Sequence, residues 1–521
     1  MSKRMQNFHG SKKRKKPGTS SKKRRHCRPQ PSYYIHQTDN DMLLLISNDL
    51  GSEDLPQGLN KRARRCLDAP VSEIQHIASP ESTTDHGWGS AMPLEILQKI
   101  FQLLADSEGS VPTLCRLSCV CRRWYEAAST PALWHRVSLG FCWVEPGKKQ
   151  PPSTQKKIIE TVESLIKERL SLLSDFSLHH WKEHVPFVVK SLSASCPLLS
   201  SLTLSHCSGV TSDALLSAAS NCAQLQSLNL QNSQVESLAV LGTFEVCGSR
   251  LQRLFLTYSN KSSAILSSLS NGSCSNLKIL ELNTEIKQGE SHLQICIEAL
   301  QSGCPKLEVL RLLNLVWSPK SGSRCSPEAP GFVELHELCL ATSSYSFVSD
   351  TVCQKLLRDS SKLQVLDLRG CYRVTPEGIC KLPCTDLQRL YLGLYCSTKN
   401  LALPRSGCAL LVRRWQHSLQ ELDLTAQSYS EEDLAQALDV LCRGGVNESL
   451  SSLNLAGTKV TAPAVRELLS SCPSLTHLDL SSCRYLPRGM KRVYRSTEEI
   501  CKCLQGLLEG LEVAPEEEAC M

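Results

Sequence analysis

A Leu-x-x-Leu-x-Leu pattern recurs along most of this chain, and no other feature restricts its fold as tightly. The copies are Leu173-Phe176-Leu178, Leu199-Leu202-Leu204, Leu225-Leu228-Leu230, Leu251-Leu254-Leu256, Leu277-Leu280-Leu282 and Leu307-Leu310-Leu312. They continue as Leu335-Leu338-Leu340, Leu363-Leu366-Leu368, Leu387-Leu390-Leu392, Leu419-Leu422-Leu424, Leu450-Leu453-Leu455 and Leu475-Leu478-Leu480. Twelve units fit, spaced 24 to 32 residues apart, a period that signals stacked supersecondary units. The last two leucines of each copy are two positions apart, so an extended backbone turns both to one side of a short strand. The intervening stretches, such as Asp213 to Ala219, suit helices. One unit cannot cover its own apolar side, but a stack can, with strands lining the inner face and helices the outer one. An α/β solenoid over residues 173–485 is the expectation.

Cysteine follows the same period. Cys207, Cys371 and Cys483 each stand three residues past a triplet, and Cys196-Pro197, Cys304-Pro305 and Cys472-Pro473 stand just before others. This resembles the cysteine-containing class of leucine-rich repeats, and the resemblance implies small buried fillers at the turns. The 27 cysteines track repeat positions instead of a compact disulfide framework, and no secretory signal is visible, so they read as reduced intracellular thiols. Cys119-x-Cys121 and Cys501-x-Cys503 lack the paired spacing of a zinc site. His179-His180 and His184 beside Glu183 give no convincing ligand set either. No metal or cofactor is expected.

Ahead of the repeats, residues 88–140 read as a small helical block. Leu94, Leu97, Phe101 and Leu104 share one face at helical spacing, and Ile96, Ile100 and Leu103 widen it. Pro93 suits a first helical turn and Ser90 a cap. A second helix is expected to carry Leu114, Leu117, Val120 and Trp124 on one side, after a long loop at Ser107-Glu108-Gly109-Ser110. Leu133-Trp134 ends the block. Pro93, Glu95-Ile96-Leu97, Ile100-Phe101, Val120-Cys121-Arg122, Trp124 and Leu133-Trp134 together resemble the F-box, with Met92 where leucine is usual. The span from Ser90 onward resembles the F-box/leucine-rich-repeat substrate receptors of SCF-type ubiquitin ligases. The resemblance implies a Skp-type adaptor bound through Pro93, Leu94, Ile96, Leu97, Ile100, Phe101, Val120 and Trp124, and through it a cullin-RING scaffold. A plain helical cap on the solenoid is the bland alternative.

In a repeat strand, the residues flanking the buried leucines face the inner side. The middle units offer Arg253, Phe255, Arg311, Arg369, Arg389 and Tyr391 there, side-chain types that anchor protein interfaces. These are the candidate substrate-binding residues, with the basic ones able to hold acidic or phosphorylated stretches. Later units lean acidic through Asp367, Glu421, Asp423 and Asp479. The alternative is a solvated face with its own charge pairs. Two Pro/Gly/Ser-rich stretches, from Trp317 to Pro330 and from Leu394 to Trp415, read as rim insertions.

The net charge is +7, but it is uneven. Residues 1–70 hold 16 Lys and Arg against 6 Asp and Glu, so the remainder carries a net −3. Residues 1–87 lack a sustained apolar period and read as a disordered basic tail. Its clusters at Lys12–Lys16, Lys22–Arg25 and Lys61–Arg65 suit an import receptor, which points to a nuclear and/or cytoplasmic location. Nucleic acid is a less favoured partner. No run approaches the roughly 18 apolar residues of a membrane span. Residues 141–172 read as a linker with a helix, and 486–521 as a capping helix around Cys503, Leu504, Leu507, Leu508 and Leu511 with an acidic end. No nucleophile elbow, phosphate loop or dinucleotide fingerprint occurs. The expectation is a non-catalytic receptor for protein substrates, with a non-degradative nuclear scaffold as the alternative.

Overall fold

Each leucine triplet ends in a short strand because its last two leucines are driven to one side, and the next unit supplies the surface that buries them. The computed structural model describes residues 32–37, 42–47, 92–140, 152–259, 262–284, 292–320, 330–395, 398, 404–442 and 447–512. Among these, the twelve triplets give twelve strands, from Asp175–His179 to His477–Asp479, within one 14-stranded sheet. Neighbouring repeat strands pair in parallel with leucine opposite leucine, as in Leu202↔Leu228, Leu228↔Leu254 and Leu254↔Leu280. A slip of one residue would turn every leucine outward, so burial sets this register. Helices between the strands, such as Ser212–Asn221 and Ala462–Ser471, bury their apolar faces in the same core.

The first strand of the sheet is Arg136–Leu139, which precedes any leucine triplet and pairs in parallel with Asp175–His179. The last is Val493–Tyr494, antiparallel to His477–Asp479. Behind it the helix Thr497–Glu512 closes the end of the core through Ile500, Cys503 and Leu507. Residues beyond Glu512, including the acidic end, lie outside the described residues.

Two stretches read as insertions are partly regular. Trp317–Pro319 forms a strand that pairs in parallel with Leu293–Ile295, apart from the main sheet, and Trp317 is buried there. Cys408–Trp415 is a repeat helix whose Trp415 is buried and donates its indole N–H to the Cys384 carbonyl at 3.1 Å. A long preceding segment hides that helix from period counting. Residues 321–329 and most of 396–403 lie outside the described residues.

The thiols act as small internal donors. Cys207, Cys371 and Cys483 reach the carbonyls of Leu178, Leu340 and Leu455 in the preceding units at 3.3, 3.4 and 3.1 Å. Burial pushes the Cys371 thiol up to about 12, which disfavours the reactive thiolate. Native protein treated with N-ethylmaleimide at pH 7.5 is therefore expected to be modified at exposed Cys119, Cys121 and Cys501 before Cys207, Cys371 and Cys483. Peptide mass mapping checks the order.

The contact pattern separates residues 1–76 from the rest. In that N-terminal unit, Ser32–Gln37 and Met42–Ser47 pair as an antiparallel hairpin, a local element absent from the reading of a structureless tail. The three basic clusters lie outside the described residues, as does Ser90.

Candidate protein-binding surfaces

The helical block has three helices, Leu94–Glu108, Ser110–Leu117 and Arg122–Ala128. The expected loop at Ser107–Ser110 is instead a one-residue corner. Gly109 adopts φ +90 and donates its N–H to Ala105 at 2.9 Å, a backbone state that glycine enters without steric cost. The expected single second helix is broken at Ser118–Cys121, where Cys121 is extended. This puts Val120 in an exposed turn and Trp124 on the third helix.

Packing divides the eight adaptor candidates into three groups. Leu97 and Phe101 are each 1% exposed, and Trp124, half-buried, sets its ring edge-on to Phe101 at 5.2 Å. Leu97 and Phe101 hold the block together and are not open to a partner, which corrects the expectation for both. Leu94 and Ile100 are half-buried against that core. Pro93, Ile96 and Val120 are exposed, Ile96 at 49% and Val120 at 60%. Leu103 at 61% and Leu104 at 36% complete a stripe of Ile96, Ile100, Leu103 and Leu104 at helical spacing. Leu103 and Leu104 were absent from the candidate set because a seven-residue apolar face hides which side is the core.

The block is joined firmly to the repeats. Trp134 is buried and donates its indole N–H to the Ala128 carbonyl at 2.7 Å. The Arg169 guanidinium, at the end of the helix Pro152–Arg169, lies 5.1 Å from the Trp134 ring centre and 5.4 Å from that of Tyr125. The Ser110 hydroxyl donates to the Arg136 carbonyl at 2.7 Å. Arg136–Leu139 then enters the repeat sheet directly.

On the inner face, one row of side chains runs in register through Thr203, Asn229, Phe255, Glu281, Arg311, Cys339, Asp367, Tyr391, Asp423, Asn454 and Asp479. Much of this row is already engaged. Arg311 donates to Glu337 at 2.5 and 3.0 Å and to Glu281 at 3.3 Å, while Gln231 donates to Glu281 at 2.5 Å. Arg369 forks onto Asp367 at 2.5 and 2.9 Å and lies 5.2 Å from the Tyr391 ring centre. Asp367 is fully buried and Arg369 nearly so. The Tyr391 hydroxyl donates to Glu421 at 2.6 Å, and Arg389 sits 3.4 Å from the same carboxylate.

These contacts correct the candidate list. Arg369 has its charge taken up by Asp367 in the protein interior, and Arg311 is held between two glutamates, so neither is offered to an acidic ligand. Arg389 and Tyr391 are half-buried and share Glu421. Arg253 is exposed and Phe255 half-exposed, so they are the freest of the six.

The Asp and Asn side chains of this row have a structural use that the leucine spacing did not reveal. Asn229, Asp367, Asp423, Asn454 and Asp479 each accept, through Oδ1, the backbone N–H two residues on, at 2.8 to 3.1 Å. This local bond satisfies a donor at the strand end. The recurrence of Asp or Asn at one repeat position was the available signal.

Burial holds the carboxyls of Glu281 and Asp423 above the usual carboxylate range. A carboxyl whose folded value is raised contributes stability below its unfolded pKa and loses it as pH rises through the folded value. Glu281→Gln, fixed neutral, is therefore expected to gain stability relative to the parent between pH 4 and pH 7, read by urea unfolding at each pH.

At the first repeats, His180 stacks on His206 at 4.4 Å. Among the described residues no group of three His, Cys, Asp or Glu is placed to hold a metal, and no helix is long and apolar enough to cross a membrane.

Residues 90–140 match the family described as F-box-like. The chain is an F-box-like domain followed by leucine-rich repeats. It is similar to "F-box/LRR-repeat protein 4" of Bos taurus, 30% identical over 413 residues, covering 76% of this chain and 52% of that protein. The chain thus spans about half the length of that curated relative. Among solved structures, the chain is similar to the Rad7 and Elc1 complex in yeast, with a TM-score of 0.45 at 16% identity over 76% of this chain and 90% of that one. It is also similar to the TLR13–ssRNA13 complex, with a TM-score of 0.36 at 18% identity over 61% and 41%.

Proposed function

We propose that this chain is the non-catalytic substrate-recognition subunit of an SCF ubiquitin ligase. Its F-box-like domain holds a Skp-type adaptor, and through it a cullin-RING scaffold, while the repeats hold protein targets. The observation that carries the reading is the exposed stripe of Ile96, Leu103 and Leu104, with Val120 also exposed, on a domain already packed by Leu97, Phe101 and Trp134. Exposed apolar surface beyond what folding uses marks a docking face. The mechanism is proximity: one end carries the charged conjugating machinery and the other raises the local concentration of a target lysine beside it.

The test is reconstitution. The purified chain, a Skp-type adaptor and a cullin-RING scaffold are expected to co-elute as one complex. Failure of the folded chain to join the adaptor at any concentration would leave the non-degradative nuclear scaffold instead. The basic clusters at Lys12–Lys16, Lys22–Arg25 and Lys61–Arg65 support nuclear import in either case. Within the family, the Trp317 segment, Asp367–Cys371 and Leu486–Gly489 favour a likeness to the sixth-numbered F-box/LRR-repeat protein.

A further inference from the structure

The closing helix Thr497–Glu512 seals the repeat core but leaves a cleft between itself and the segment that leads into the last strand. The cleft has a volume of about 510 Å³, and Arg488, Lys491, Tyr494, Glu499, Lys502 and Gly506 are among the residues that line it. That size falls within the roughly 300–1,000 Å³ of ligand sites. We propose that it binds a protein segment carrying a carboxylate next to an apolar side chain. The inference deepens the receptor reading and rests on it for biological role, though not for binding itself.

Three observations converge. The charge is one-sided: Lys491 pairs with Glu499 at 2.6 Å, while Arg488 and Lys502 are exposed on the wall. Among the described residues lining the cleft, Glu499 is the single acid facing these three cations. Its carboxyl is held below the usual range, first by its hydrogen bond with Lys491, and Lys502 adds to the effect. The cleft therefore keeps an excess of positive charge. Its apolar lining comes from Met490, Tyr494, Cys503 and Leu507, which suits an apolar side chain beside the anion.

The second observation is Gly506. It lies within the helix and lines the cleft, yet beyond its chain neighbours and the helix's own backbone no heavy atom lies within 4 Å of where its Cβ would be. Glycine is among the poorest helix formers, and packing gives no reason for it here. A side chain there would enter open space beside the cleft.

The third is the strand edge. Val493–Tyr494 is the terminal strand of the sheet, and Tyr494 lines the cleft. An extended peptide can add backbone hydrogen bonds beside such an edge, which favours a protein segment over a free fatty acid.

The experiment uses the full chain and a fluorescein-labelled pool, Gly-Ser-Z-X-Z-X, with Z drawn from Glu and Asp and X from Leu, Val, Phe and Met. Fluorescence anisotropy is expected to show saturable binding that weakens with salt. Gly506→Trp, which occupies the cleft from a site with room for a side chain, is expected to weaken it at least tenfold with an unchanged thermal midpoint. Arg488→Glu with Lys502→Glu is expected to do the same by charge. The pool amidated at its C-terminus separates the two carboxylate sources: loss assigns the chain terminus and retention assigns the side chains, and each supports the site. Absence of saturable binding, equal binding of a pool with Lys at Z, indifference to both variants, or octanoate competing as well as the peptides overturns the proposal. Adaptor capture by the same variants is expected to be unchanged. Its failure in the parent chain would sink the ligase reading while leaving the peptide measurement interpretable.

Discussion

Ile96→Asp combined with Val120→Asp is expected to abolish capture of a Skp-type adaptor, by a hundredfold or more, without altering circular dichroism or the thermal midpoint. Both side chains stand about half or more in solvent, so the folded chain loses little when they change. In a complex, each would bury an apolar side chain, worth roughly 1.5–3 kcal/mol, and the substitutions add two carboxylates that must be desolvated. Two such losses span roughly two to four orders of magnitude in affinity. Leu97→Ala tests the same geometry from inside. Its side chain is 1% exposed, so it should cost roughly 2–5 kcal/mol of stability and weaken capture only through unfolding. Pull-down at several temperatures separates the two behaviours. If Leu97→Ala lost the adaptor while keeping its midpoint, the division into core and docking residues would be wrong.

Asp367→Ala is expected to destabilise the middle repeats by roughly 3–5 kcal/mol, the usual effect of stranding one member of a buried ion pair. Arg369 would keep its charge in the interior with its forked acceptor gone, and its own backbone N–H would lose the Oδ1 that now accepts it at 3.1 Å. Asp367→Leu with Arg369→Met should recover most of the loss, because removing both charges also removes their desolvation. Hydrogen exchange across Leu338 to Leu422 is the suitable measurement, since repeat arrays can open locally. Equal protection in Asp367→Ala and the parent would mean that the pair is exposed in solution.

The repeat architecture was legible because leucine spacing is set by burial, and burial sets register. The inner-face row could be written down residue by residue for the same reason. What those residues do was not legible. Arg311 and Arg369 looked like ligand anchors because the pattern shows which way a side chain points and not what stands beside it. Their partners come from other positions: Glu281 and Glu337 lie 30 and 26 residues away from Arg311. Asp367 lies two residues from Arg369, but only the strand-end geometry turns the two together. In the F-box-like domain the motif located the helices. It could not say which apolar side chains the domain keeps for itself, because Leu97 and Ile96 are adjacent in sequence yet one is buried and the other half in solvent. The cleft beside Gly506 left no trace in the sequence beyond one glycine in a helix.

The strand Arg136–Leu139 makes the F-box-like domain the first rung of the repeat ladder and not a module on a tether. Neighbouring rungs are about 4.8 Å apart, so under the proposed receptor function a target gripped one unit further along would move by that step relative to the adaptor, with no slack to absorb it. Such a chain would behave as a ruler. Which lysine of a target comes within reach of the conjugating enzyme would be decided by counting rungs between grip and origin.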